Sequence, residues 1–255
     1  MDRTVHWHGA GATHTGLVRP TNQDAFLVAN DLGLWIIADG MGGHAGGDVA
    51  SKISVETIHN YITEHAGHHS TTKTDEIPSL LRSAVGYANE AVLAHAKANP
   101  EFTGMGTTVV LFFLPAHSSP LAWVAHAGDS RAYLIRDQQI SALTRDHTVL
   151  EEYIQQGLLA KSTPATHPLG HSLTRGVGAN STIETDILTV KIQPEDEVIL
   201  FSDGLIKMLN DEQILETLVT MRAETPEHKC QAFIDQANDR GGVDNTTVIL
   251  IARSR

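Results

Sequence analysis

Apolar positions along the chain fall into two kinds of pattern, short unbroken runs and stripes at helical spacing. The runs "AFLVA" (Ala25 to Ala29), "LWIIA" (Leu34 to Ala38), "TTVVLFFL" (Thr107 to Leu114) and "LAWVAHA" (Leu121 to Ala127) predict strands. So do "RAYLIRD", "QIS", "ETDILTVKI", "EVILFS" and the closing "TTVILIA". The "NDLG" between the first two reads as a hairpin turn, so the strands are expected to pair largely antiparallel. Stripes at three- and four-residue steps predict two helix pairs. The first pair carries Ala50, Ile53, Thr57, Ile58, Tyr61 and Ile62, then Leu81, Ala84, Val85, Ala88 and Val92. The second begins at Asp211, read as a cap, and at Thr225-Pro226, with proline at the first helical position. Its second stripe is Cys230, Phe233, Ile234 and Ala237.

Paired strands with paired helices indicate an α+β fold, two mainly antiparallel sheets face to face with a helix pair outside each. No Pro/Gly/Ser linker divides the chain, so one domain over residues 1–255 is expected. Residues 145–180 stand apart. After "HTVLEEYIQQGLL" the periodicity fades, and a connection this long inside a domain predicts a flap or lid.

A formal net charge of −12 argues against a nucleic-acid or anionic-membrane partner. Cys230 is the only cysteine, which rules out an intrachain disulfide. It lies on an apolar stripe without the CxxxxxR loop of cysteine phosphatases, so it reads as core. The N-terminus has no apolar targeting core, and "VVLFFL" is far shorter than the roughly 20 residues of a membrane helix. A soluble cytoplasmic protein is expected. Fifteen histidines form no HExxH pair, and "GMGGHAGG" lacks the Lys-Ser/Thr of a phosphate loop.

Acids change the picture. Asp39 follows "LWIIA" and precedes Gly40; Asp203 follows "EVILFS" and precedes Gly204; Asp129 follows "LAWVAHAG". Asp244 precedes the last strand and Asp24 opens the first. Each alone reads as a turn, since Asp-Gly and Asp-Asn are turn dipeptides. If these strand ends converge, however, so many carboxylates need cations, and oxygen-only ligands suit Mg²⁺ or Mn²⁺.

The stretches "GLVRPTNQDAF", "ADGMGGHAGGDVAS", "GMGTTVV", "HAGDSRAYLIRD", "LTRDHT", "LTRGVGA", "LFSDGL" and "DNTTVI" run in order from about His14 to Ile251. In them the chain resembles the metal-dependent protein serine/threonine phosphatases of the protein phosphatase 2C type, in their compact bacterial form. The resemblance implies a four-layer α-β-β-α sandwich. It further implies hydrolysis of phosphoserine and phosphothreonine monoesters by direct attack of water activated at a binuclear Mn²⁺ or Mg²⁺ centre. By the same resemblance Asp39 bridges two metals, Gly40 contributes its carbonyl, and Asp203 and Asp244 bind the first metal. Asp129 with Asp203 binds a third ion in bacterial relatives. Arg19 matches the arginine that holds the substrate phosphate, and Asp24 the acid that steadies the water. Implied partners are phosphorylated proteins, the targets of a bacterial-type Ser/Thr kinase, met by a monomer in cytoplasmic signalling.

Two positions depart from the pattern. Gln23 stands where many relatives have glutamate, which predicts weaker metal binding. Met41 stands where animal enzymes have histidine, so no leaving-group acid carries over. The alternative, a non-catalytic binding module, requires a damaged metal site, and none of the four principal acids is missing.

Overall fold

The computed structural model describes residues 6–41, 46–66, 73–115, 120–160, 163 and 167–253. Gly42, Gly43 and His44 of the glycine-rich stretch, most of the loop from Gly67 to Glu76, and parts of residues 145–180 lie outside them. The strands are β1 (Trp7–His14), β2 (Asp24–Ala29), β3 (Leu34–Met41), β4 (Gly106–Thr107), β5 (Val109–Phe113), β6 (Leu121–Ala127), β7 (Arg131–Arg136), β8 (Gln139–Ala142), β9 (Asp186–Lys191), β10 (Glu197–Phe201) and β11 (Thr246–Arg253). One sheet runs β1-β11-β10-β7-β8 and the other β2-β3-β5-β6-β9, with β4 paired to the end of β3. Every described strand pair is antiparallel.

Unbroken apolar strands arise because both faces of each sheet are covered. Along β3, Leu34, Ile36 and Ala38 face the helices α1 (Gly47–Ala66) and α2 (Ile77–Ala98), while Trp35 and Ile37 face the other sheet. Along β5 the same alternation splits Val109, Leu111 and Phe113 from Val110 and Phe112. On the second sheet Val198 and Leu200 point between the sheets. Ile199 and Phe201 point outward, into the core shared with the helices that follow β10. Three apolar layers therefore stack as helices, sheet, sheet, helices. The expected sandwich is the fold, and its period-two alternation is what sorts each strand between two cores.

Local chemistry sets the helix ends. Beyond α3 (Val149–Gln155), the second sheet is covered from α4 (Asp203–Met208) onward, with α5 (Asp211–Thr220) and α6 (Pro226–Asp239). The cap of α5 is Asn210, one residue before the expected Asp211. Its side chain accepts from the Gln213 amide while the Gln213 side chain accepts from the Asn210 amide. Thr225 caps α6 with Pro226 at the first position, as expected. The "NDLG" turn is a 3-10 turn over Asn30–Leu32, closed by Gly33 at φ 65°. Strand β1 had no counterpart among the expected elements: "WHGAGATH" is poor in β-branched residues, and its pairing with β11 defines it. No described helix is long and apolar enough to cross a membrane.

Candidate metal centre

Antiparallel order carries distant acids to one end of the sandwich. β3 finishes where β2 begins, so Asp39 and Asp24 are direct cross-strand partners. β10 finishes where β11 begins, so Asp203, the first residue of α4, meets Asp244 just ahead of β11. Asp129 follows the C-terminal end of β6, two strands from β3 in the same sheet. All five expected acids are gathered.

Backbone contacts fix each one. The Asp39 amide donates to Thr108 Oγ1 (3.0 Å), and its carbonyl accepts from the Thr108 amide and Thr107 Oγ1, both at 2.8 Å. A side chain on Gly40 would strike the carbonyl oxygens of Gly47 and Gln23; one on Gly204 would strike that of Asn245. Both Asp-Gly pairs therefore answer to close backbone approach, and a turn alone does not explain them. Asn245 ties the Arg19 loop to β11: Nδ2 donates to the carbonyls of Thr15 (2.8 Å) and Thr21 (2.9 Å), and Oδ1 accepts from the Gln23 amide (2.8 Å).

Asp24 is buried, with Oδ2 accepting from Ser202 Oγ (2.8 Å) and Thr247 Oγ1 (2.6 Å), while Oδ1 has no hydrogen-bond partner among the described residues. Asp244 carries two cations. Arg19 grips it bidentately, Nε to Oδ1 and Nη2 to Oδ2 at 2.8 Å, and Lys207 Nζ reaches Oδ2 at 2.7 Å. Lys207 Nζ also sits 2.5 Å from Asp203 Oδ2.

The electrostatics record the crowding. Burial, reinforced by Asp24, Asp203 and Asp129, raises Asp39 well above the ordinary carboxylate range, with Lys207 opposing. Burial lifts Asp24 to about 6 against its two hydroxyl donors, with Asp203 and Asp244 adding. Asp129 rises to about 7, through burial first and then Asp203 and Asp146. For Asp244 burial pushes upward, but Lys207 and Arg19 outweigh it and hold the carboxyl below its usual range. A cluster of oxygen donors that resist ionising together, with a buried carboxylate oxygen left unpartnered, fits hard divalent cations.

The protein phosphatase 2C family model matches residues 9–234. The chain belongs to this family. It is therefore a metal-dependent phosphoprotein phosphatase, a phosphoric monoester hydrolase. The serine/threonine phosphatase Stp of Listeria monocytogenes is 33% identical over 249 residues, 96% of each chain. The serine/threonine phosphatase of S. agalactiae superposes with a TM-score of 0.86 at 30% identity, covering 97% of this chain and 99% of that one. The catalytic domain of the serine/threonine phosphatase PstP, solved with two manganese ions, superposes with a TM-score of 0.82 at 28% identity, covering 99% and 100%.

Several residues that surround this phosphatase's acids were not anticipated from sequence. Lys207 follows Asp203 by four residues in "SDGLIK", the spacing at which opposite charges meet on a helix, and that signal was readable. Ser202 and Thr247, which hold Asp24, gave no such sign. A cavity of about 610 Å³ opens beside Asp129 and Asp203, walled in part by Lys207 and by His171 of the 145–180 segment. Another of about 580 Å³ lies at the opposite end of β10, around Glu197 and Arg222, and holds none of the five acids.

Among the described residues, one further cluster has metal-ligand spacing: His126, His147 and Asp186, with ligand atoms within 4.8 Å of one another. Its cation is internal. Arg175 Nη1 donates to Asp186 Oδ1 (2.6 Å) and lies 3.2 Å from His147 Nε2. The two imidazoles stack at 4.5 Å, with the His126 Nε2–H donating to the Arg145 carbonyl and His147 Nδ1 accepting from the Gly128 amide. The cluster pins both ends of residues 145–180 beneath the Asp129 turn. Cys230 is fully buried, its Sγ 3.3 Å from the Ala10 carbonyl and its thiol pushed up to about 12 by burial, which suits a core residue.

Proposed function

We propose that this phosphatase holds two divalent ions, Mn²⁺ or Mg²⁺, on Asp39, the Gly40 carbonyl, Asp203 and Asp244. A third ion is placed by Asp129 and Asp203. When bound, the ions lower the pKa of the attacking water and draw charge from the phosphoryl oxygens. Asp24 orients that water through Oδ1, the buried oxygen that has no partner among the described residues. Arg19 binds the phosphate: Nε and Nη2 face Asp244, and the half-exposed guanidinium has further N–H groups to offer phosphoryl oxygens. The reading rests above all on the convergence of five carboxylates from separate strand ends, with three of them raised by burial and by one another.

The purified protein should hydrolyse p-nitrophenyl phosphate with Mn²⁺ and lose that activity to a chelator. Arg19→Ala should raise KM for a phosphopeptide by about tenfold, the effect of losing one charge-assisted contact. Chelator-insensitive hydrolysis, or an unchanged KM, would count against these assignments.

Residues 145–180 act as a flap on a single domain of 1–255, and select among phosphorylated proteins. Their support is position: His171 walls the cavity beside Asp129, and Val177 bridges to Thr107 next to the Asp39 carbonyl. Exchanging the segment for that of another family member should alter preference among phosphoproteins and spare p-nitrophenyl phosphate turnover. Identical preferences would reject the role. The setting we infer is the cytoplasm, with a monomer reversing a bacterial-type Ser/Thr kinase in signalling.

A further inference from the structure

The acid cluster contains its own cation. Lys207 Nζ lies between Asp203 Oδ2 (2.5 Å) and Asp244 Oδ2 (2.7 Å), bridging two carboxylates from different elements. Arg19 also meets Asp244, but it approaches from the rim with a half-exposed side chain and touches no other acid of the cluster. The lysine is the inner group, with a side chain only one-quarter exposed. A point charge bridging two oxygens takes the position a divalent ion needs when it binds the same two carboxylates.

We propose that Lys207 is a resident counter-ion that occupies the Asp203–Asp244 position in the metal-free protein and must be displaced when a divalent ion binds there. This rests on the reading that these two acids are metal ligands. Lys207 sits one helical turn after Asp203, so displacement requires only its flexible four-carbon stem to swing away, and α4 can stay in place. Metal loading is then an exchange of an ammonium for a divalent ion, with a net gain of one charge in the cluster. The exchange weakens metal affinity at that position, because an ion binding there has to break two charge-assisted contacts that the free protein already makes. The Lys207 ammonium also offsets the repulsion between the two carboxylates before metal binds.

The test is Mn²⁺ titration calorimetry alongside thermal melts of the full chain. Lys207→Gln should bind Mn²⁺ about tenfold or more tightly than wild type, since the competing charge is gone. It should melt lower without metal and like wild type with saturating Mn²⁺. Lys207→Arg, which keeps the charge, should behave nearly as wild type. A purely structural lysine would lower both melts together and leave affinity unchanged, which would overturn the proposal, as would weaker binding by Lys207→Gln. A wild type that takes up no Mn²⁺, or takes it up equally after Asp39→Asn, would instead overturn the metal-site reading beneath it. In wild-type protein labelled with ¹⁵N-lysine, the ion-paired Lys207 ammonium signal should be lost as Mg²⁺ is added. A signal that persists through saturation would refute displacement without any variant.

Discussion

Asp39→Asn will abolish phosphatase activity and at the same time raise the melting temperature of the metal-free protein. The two effects share one cause. Asp39 is placed at the meeting point of Asp24, Asp203 and Asp129, where burial and neighbouring charge raise its pKa well above the ordinary range. Its ionised form is therefore unfavourable until cations arrive, and a neutral amide of the same shape relieves that cost. On the proposed ligand set, loss of the Asp39 carboxylate removes the ions that stabilise charge at the phosphoryl group, and a drop in kcat of about 10³-fold corresponds to only about 4 kcal/mol of lost transition-state stabilisation. The hydrogen bonds with Thr107 and Thr108 are made by the Asp39 backbone amide and carbonyl and survive the change. Kinetics on a phosphopeptide and melts in chelator check both halves. Retained activity, or a lower metal-free melt, would dissociate Asp39 from the cluster.

With metal removed, the wild-type protein should lose stability as pH rises from 6.5 to 8. Asp129, at about 7, and Asp39, also raised, hold protons more tightly folded than unfolded, where an aspartate titrates near 3.8. Their contribution to stability is complete below that unfolded value and disappears as pH climbs through the folded one. Asp24, at about 6, has lost most of its share by the start of this window. His126 and His147 work the other way: burial lowers both, so their contribution is lost on acidification, still grows just above 6.5 and is complete about a pH unit higher. Between pH 6.5 and 8 the acids dominate the slope, against a small opposing share from the two histidines at its acid end. A pKa unit is about 1.4 kcal/mol, and one kcal/mol moves the melt of a domain this size by about 2–4 °C, so a fall of about 5 °C is expected. Saturating Mn²⁺ should remove the decline, and Asp129→Asn should flatten it. A metal-free melt that stays level or rises across this window would contradict the crowded-carboxylate account.

The paired strands and helices were legible because their signals are local, and the five acids because eight ordered stretches carry a family resemblance. Apolar runs ending on Asp-Gly mark strand ends whatever they pack against, and two covered faces leave no polar alternation to mislead. The unread parts depend on contacts between distant residues. β1 is a strand because β11 pairs with it, while "WHGAGATH" alone has weak strand propensity. The run from Thr107 to Leu114 breaks at Thr108, whose side chain serves Asp39 and Ser130 across the fold. Ser202 and Thr247 meet at Asp24 from elements about 180 and 220 residues away in sequence, beyond any spacing rule. Gly40 and Gly204 were visible as turn residues, yet their physical reason is tertiary, the carbonyls of Gln23, Gly47 and Asn245 pressed against them.

A Mn²⁺-soaked crystal measured at the manganese absorption edge tests the central claim most directly. Anomalous peaks are predicted at the ends of β3 and β10, with two ions sharing the Asp39 carboxylate and one of them also touching Asp203 and Asp244. Peaks confined to His126, His147 and Asp186, or no peak among the five acids at saturating Mn²⁺, would contradict it.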